Sequence, residues 1–448
     1  MSAFFRRVFI SQPQLVRITW KTDRTKSSFS LDFFLQTHKT RGWRVVHDEK
    51  YLRYLTHETV RKELFCEGHT MTLSIMYDTL APQFHEMQLG TVAEKVVAGE
   101  RLSLEDGLRL FSCHNITLLG FLADIVRRRK VGEYAFYNKN LRIDYTNVCT
   151  KQCLFCAFDR LPGEPGGYVL EPEEVYERVV RHLPWGITEV HMVGGINPRL
   201  PFSYYLDLCR AVKRANPQIH LKAFTAVEIA QIFKVSRLSP EETLCALREA
   251  GLDSCPGGGA EILSERVHRE LYRLKISPSE WLAVQKIIHR AGLRSTATML
   301  YGHIETLEER VRHLIQLRDL QDETGGFLAF VPLAFHPENT EMSHIAPPTG
   351  IDDLATIAVA RLMLDNFDHI KAYWVMLTPK VAQVSLAYGA DDLDGTVINE
   401  TIVHEAGART PQALTEEELV RLIREAGRRP AERDSLYAIL REWTCDKT

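Results

Sequence analysis

The 448-residue chain has no stretch approaching the roughly 18 uninterrupted apolar residues that a membrane-spanning helix needs. It lacks a charge excess as well: 55 Lys and Arg against 58 Asp and Glu leave a net charge of −3, so the protein as a whole carries no electrostatic signature of nucleic-acid binding. Cysteine is scarce, nine in all, too few for a secreted disulfide scaffold. Low-complexity tracts are missing, and so is any repeat with a period of about 20–50 residues. What remains is an ordinary globular composition, 45% hydrophobic and 25% charged. At this length it suits one large barrel with appendages or two to three smaller domains.

Charge is unevenly spread. Residues 1–70 hold 13 Lys and Arg against 7 Asp and Glu, net +6, and the remainder is net −9. Arg6, Arg7, Arg17, Lys21, Arg24 and Lys26 resemble a targeting segment, but Asp23, Asp32, Asp48 and Glu49 speak against one, and no small-residue cleavage site follows an apolar core. Residues 1–87 are therefore expected to be an extension, either a poorly ordered arm or a segment upstream of a true start at Met71 or Met87.

From about residue 88 the chain is patterned. Ser103-Leu104-Glu105-Asp106 reads as a helix start with Ser103 as N-cap, and Thr117 to Arg128 reads as a second helix, so 88–140 should be helical. Strands are expected at 142–146, 187–193, 219–224, 252–255, 294–300, 327–333 and 370–376, with helical patterns between most of them. Ser239-Pro240-Glu241-Glu242 starts one such helix. Alternation of this kind argues for right-handed parallel βαβ units. The expected fold is α/β, a TIM-like barrel of six to eight units with its core over 141–345. Barrel-completing units and helices near 415–426 and 431–441 should follow over 346–448. An open doubly wound sheet is the alternative.

The densest chemistry lies in Cys149-Thr150-Lys151-Gln152-Cys153-Leu154-Phe155-Cys156, directly after the first expected barrel strand. Three thiolates spaced C-x3-C-x2-C can ligate three irons of a cubane cluster and leave the fourth open to a small molecule. A structural zinc site would want a fourth Cys or His close by, and the next histidine is His182. Cys66, Cys113, Cys209, Cys245 and Cys445 are isolated and read as structural; Cys255 stands beside Pro256-Gly257-Gly258-Gly259 at a strand end.

The cysteine motif, with an aromatic residue before its third cysteine, resembles the radical SAM superfamily over about 140–340. The resemblance implies a [4Fe–4S] cluster on Cys149, Cys153 and Cys156, with S-adenosylmethionine (SAM) chelating the open iron and yielding a 5′-deoxyadenosyl radical. It implies SAM contacts at Gly194 and Gly195 after the second strand, at Glu261 after the fourth, and at Gly302 and Glu305 after the fifth. Glu261 has an alternative reading as a helix-start acid. Tyr145 to Cys149, Cys156 to Arg160 and Gly389 to Thr396 resemble a narrower group: aminofutalosine synthase, dehypoxanthine futalosine cyclase and one half of FO synthase. Lys222-Ala223-Phe224-Thr225-Ala226-Val227-Glu228-Ile229, Asp322 to Phe327 and Phe335 to Thr340 resemble the aminofutalosine synthase family within it.

Membership would imply addition of the adenosyl radical to 3-[(1-carboxyvinyl)oxy]benzoate, then rearrangement and decarboxylation to 6-amino-6-deoxyfutalosine in menaquinone biosynthesis. A one-electron donor such as flavodoxin or ferredoxin and a reducing cytoplasm go with it. The substrate has two carboxylates, which leads to Arg160, His191, Lys222, Arg294, His303 and His336 as candidate donors. Radical addition to a double bond needs no general base, so no acid–base residue is assigned. The rivals are a hydrogen-abstracting sister enzyme and, from another class, an electron-transfer Fe–S protein or a zinc-stabilised module.

Overall fold

The computed structural model of the protein describes residues 69–443 and, before them, four short strands. These are β1 (Val8–Ile10), β2 (Gln14–Ile18), β3 (Phe33–Gln36) and β4 (Arg44–Val45), antiparallel in that order within a unit formed by residues 1–80. Other residues of the expected N-terminal arm, Cys66 among them, and Cys445 lie outside the described residues. The helix His69–Glu86 contains Met71, one of the two suggested starts, and ends just before Met87, the other.

The second unit begins at Ala81. Helices Gly90–Ala98, Leu104–Phe111 and Ile116–Val131 occupy the segment expected to be helical. Ser103 caps the second of them as anticipated. Its hydroxyl accepts from Asp106 N at 3.2 Å while the Asp106 carboxylate accepts from Ser103 N at 2.9 Å, so two otherwise orphaned N–H groups are satisfied. Leu118, Leu119, Leu122 and Ile125 form the buried side of the third helix.

After β5 (Tyr134–Asn138) comes one all-parallel sheet. Its strands are β6 (Asn140–Asp144), β7 (Glu189–Val193), β8 (His220–Ala223), β9 (Ser254–Cys255), β10 (Arg294–Tyr301), β11 (Phe327–Ala334) and β12 (His369–Ile370), neighbours in chain order. Helical crossovers between them begin at side-chain caps such as Ser239, Ser277 and Thr306. The two edges are joined by β13 (Asp392–Gly395) and the residues after it: Asp392 bridges to Lys371 beyond β12, and Ile398 bridges to Leu141 on β6. Ala372 N donates to Asp392 O at 2.7 Å and Arg142 N to Ile398 O at 2.8 Å. The sheet is thereby curled into a TIM-like α/β barrel, as expected.

Two departures occur in the C-terminal part. The strand expected over 370–376 stops at Ile370, and Trp374–Leu377 is a short helix. The expected helix at 431–441 is instead a hairpin of β14 (Arg429–Arg433) and β15 (Ile439–Glu442), although the helix Glu416–Glu425 before it is present. The hairpin extends a second sheet ordered β13-β5-β14-β15. Asp434 turns it, its carboxylate accepting from Leu436 N and Ala438 N at 2.8 Å each. Pairing of β14 with β5 outweighs the local helical preference, an override that single-sequence reading does not detect.

Candidate active site

The cysteine loop leaves the C-terminal end of β6, where a barrel keeps its chemistry. It is pinned by backbone hydrogen bonds: Cys149 N to Arg160 O (2.9 Å), Thr150 N to Ile196 O (3.1 Å), Leu154 N to Leu271 O (3.0 Å) and Cys156 N to Cys153 O (2.9 Å). Cys153 is buried, and Cys149 and Cys156 are partly so. Burial pushes all three thiols up, Cys156 to about 12. A bare thiolate is therefore disfavoured here, and binding of a cation is coupled to proton release. The surroundings suit sulfur bound to metal. Lys151 N donates to Cys149 Sγ at 3.4 Å, backbone N–H groups of Phe158 and Asp159 face Cys156, and the Lys275 ammonium bears on Cys153. Among the described residues no three of His, Cys, Asp and Glu gather around one point as a single-ion site requires. Three thiolates that each bind a different iron need not do so. Three soft donors on one loop fit a cluster corner.

Gly194 and Gly195 follow β7 and lie against this loop. A Cβ on Gly194 would press on the Tyr145 ring at 2.7 Å, and one on Gly195 would collide with Val148 O and stand 3.0 Å from Cys149 Cβ. The backbone approach leaves no room for side chains. The pair is held by Glu228, which lies in the run likened to aminofutalosine synthase. Its Oε1 accepts from the Tyr145 hydroxyl (2.8 Å) and Gly194 N (3.0 Å), and its Oε2 accepts from Thr225 N and Oγ1. Burial nevertheless raises this carboxyl to about 7.

Glu261 follows β9 with φ of +46° and pairs with Lys275, whose ammonium also lies 5.2 Å from the Phe155 ring centroid. Phe155 is the aromatic residue before the third cysteine, so Lys275 ties the cluster loop to the fourth-strand end. Nothing in the sequence singled it out. Gly302 has φ of +90°, and its N–H donates to Glu305 at 2.6 Å. Glu305 also meets His303 Nδ1 (2.9 Å) and Arg310 (2.8 Å); against the effect of burial, these hold it down to about 2. Its oxygens serve the turn after β10.

The candidate anion ligands separate sharply. On β7, His191 stands in register with Arg142 of β6 and Lys222 of β8 on the inner face of the sheet. It keeps accessible surface deep in the barrel, and burial with the neighbouring Arg142 and Lys222 charges drives it well below the usual histidine range. Lys222 is committed to Glu189 at 2.7 Å, both fully buried. The side chain of His303 is buried, with Nε2 unpartnered among the described residues. His336 Nε2 lies 3.0 Å from Met376 O. Arg160 braces its own loop by donating to Ala157 O and Asp159 O. Arg294 sits exposed at the N-terminal end of β10, opposite the cysteine loop, and donates to Gly325 O. The structure therefore does not bring Arg294 to the site. Cys209 and Cys255 are buried, Cys245 is exposed, and Cys113 bonds locally to Asn115 O.

A parallel barrel with three thiols on the loop after its first strand, and a bare glycine pair at the next strand end, is the architecture of a radical SAM enzyme. The model of the radical SAM superfamily matches residues 143–317, and that of the CofH/MqnC C-terminal region matches 324–445. An aminodeoxyfutalosine synthase of Thermus thermophilus is 51% identical over 356 residues, 79% of this chain and 96% of that protein. A cyclic dehypoxanthine futalosine synthase of Halalkalibacterium halodurans is 40% identical, with 79% and 96% covered. Among solved structures, methylornithine synthase superposes with a TM-score of 0.61 at 20% identity, covering 76% of this chain and 97% of that one, a likeness of fold. The chain belongs to the aminodeoxyfutalosine synthase family of radical SAM enzymes. Enzymes of this superfamily work with a [4Fe–4S] cluster and SAM. No helix among the described residues is long and apolar enough to cross a membrane.

Proposed function

We propose that this enzyme joins the 5′-deoxyadenosyl group of SAM to 3-[(1-carboxyvinyl)oxy]benzoate and, with loss of one carbon dioxide, forms 6-amino-6-deoxyfutalosine for menaquinone biosynthesis. The observation that carries this reading is the 51% identity to the Thermus synthase against 40% to the cyclase, each over 79% of the chain. Cys149, Cys153 and Cys156 hold the cluster, which with SAM bound supplies the 5′-deoxyadenosyl radical. The bare backbone of Gly194 and Gly195 lies along the SAM methionine moiety, and Gly302 with Glu305 shapes the adenine side. Glu261, braced by Lys275, faces the ribose. The barrel interior receives the dicarboxylate next to His191 and excludes water from the reacting carbons. An external one-electron donor such as flavodoxin or ferredoxin completes the system. With SAM labelled in its adenine, the label must end covalently bound to the arene-derived product. Label recovered only in free 5′-deoxyadenosine favours a hydrogen-abstracting sister activity.

A further inference from the structure

Four cations line the inner floor of the barrel, and three have a carboxylate. Lys222 is paired with Glu189 at 2.7 Å, Lys371 with Asp394 at 2.5 Å and Arg433 with Asp392 at 2.6 Å. The fourth is Arg142. Its Nη2 donates to the neutral Tyr373 hydroxyl at 2.8 Å, with the guanidinium 5.2 Å from that ring's centroid, and its Nε is buried without a partner. Among the described residues it forms no ion pair within 4.0 Å. The acids around it are otherwise engaged: Asp394 by Lys371, and Glu400 by His404 at 3.0 Å. Asp144, two residues along β6, is raised to about 7 by burial and by Glu400, so it is only partly charged near neutral pH, and it forms no ion pair with Arg142 within 4.0 Å.

Asp394 and Glu400 favour the charge from a distance, but an interior guanidinium with no carboxylate in direct contact still leaves donors unsatisfied, and Arg cannot lose its proton to escape that cost. Arg142 also keeps accessible surface although it lies mid-strand inside the barrel, as does its register partner His191, which leaves space beside it. We infer that Arg142 is the receptor for a carboxylate of the substrate. The planar fork of Arg suits bidentate capture of a carboxylate, and Tyr373 holds one arm of it in place.

Depth decides which carboxylate. This step rests on the proposed reaction. The cysteine loop starts beyond the C-terminal end of β6, and Arg142 lies about 7 Å further down that strand than Asp144. The vinyl methylene must face the loop, where the radical is made. The enol carboxylate is on the adjacent carbon, so the ring carboxylate, at the other end of the molecule, is the one that reaches Arg142.

The test compares the natural substrate with 2-phenoxyacrylate, which lacks the ring carboxylate, on the reconstituted holoenzyme. Wild type should favour the natural substrate in kcat/KM by at least about 30-fold, the size expected for a desolvated charge pair. In Arg142→Gln that preference should collapse, with the analogue changed less than about threefold and the KM for SAM unchanged. Arg142→Lys keeps the buried charge, folds where glutamine does not, and should lose part of the preference. Equal losses for both substrates, or a raised KM for SAM, would overturn the assignment. If wild type makes no adenosylated product at all, the proposed reaction fails and Arg142 is judged by equilibrium binding of the two compounds. Discrimination lost in Arg142→Gln supports the assignment there, and discrimination retained overturns it.

Discussion

The Gly194 backbone N–H donates to Glu228 Oε1 across 3.0 Å, so the glycine pair beside the cysteine loop is anchored by a buried carboxylate from the next crossover helix. The same oxygen accepts from Tyr145, four residues before Cys149. All the partners of Glu228 donate. Glu228→Gln turns an amide NH2 toward some of them and should destabilise the fold by about 1–3 kcal/mol. If Gly194 lies against SAM as proposed, the variant should also raise the KM for SAM several-fold while iron content stays at the wild-type level. Thermal melts, iron analysis and SAM titration measure the three quantities. An unchanged KM for SAM would separate Glu228 from the cofactor.

Gly195 makes a sharper test of the loop. A methyl group there meets Val148 O and the Cys149 side chain, and a backbone carbonyl cannot swing aside. Gly195→Ala should keep the barrel's far-ultraviolet circular dichroism but lose most of its iron on reconstitution. Wild-type iron loading in this variant would show that the contact is easily relieved.

Lys222 and Glu189 form a pair with both side chains almost fully buried. Lys222→Met leaves Glu189 buried and charged without its ion-pair partner, with the more distant Lys371 and Arg433 charges in its favour. This should cost about 3 kcal/mol in unfolding free energy, whereas Lys222→Met with Glu189→Leu should recover most of it. Denaturant unfolding measures both. A stable but inactive Lys222→Met would make Lys222 a substrate ligand after all.

His404 introduces a pH dependence. The Glu400 hydrogen bond leads the causes that raise it from 6.5 to about 9. The folded state therefore binds the proton more tightly than the unfolded chain. The resulting stability is complete below about pH 6.5 and fades as pH rises through about 9. Wild type should lose more melting temperature than His404→Gln between pH 6.5 and 9.5; parallel curves for the two proteins would remove the ion pair from the stability of the fold.

The barrel was legible because its strands are short apolar runs set between capped helices, and Ser103, Ser239 and their acids mark helix starts wherever they fall. The cysteine loop was legible because its ligands are adjacent in sequence. Lys275 and Glu228 were harder to find, since each meets the site through another residue: Glu261 and Phe155 for Lys275, Gly194 for Glu228. Arg142 and Lys222 both stand opposite His191 in register, and what separates them is the Glu189 carboxylate two residues along β7, which pairs with Lys222. The β14–β15 hairpin was missed for the same reason, its pairing with β5 being almost 300 residues apart in sequence.

The central claim is the reaction itself. An anaerobic mixture of reconstituted protein, reductant, SAM and 3-[(1-carboxyvinyl)oxy]benzoate, followed by mass spectrometry, tests it most directly. The account predicts a product that contains both adenosine and the benzoate and is one carbon dioxide lighter than their radical adduct. Free 5′-deoxyadenosine with the benzoate recovered unchanged would contradict it.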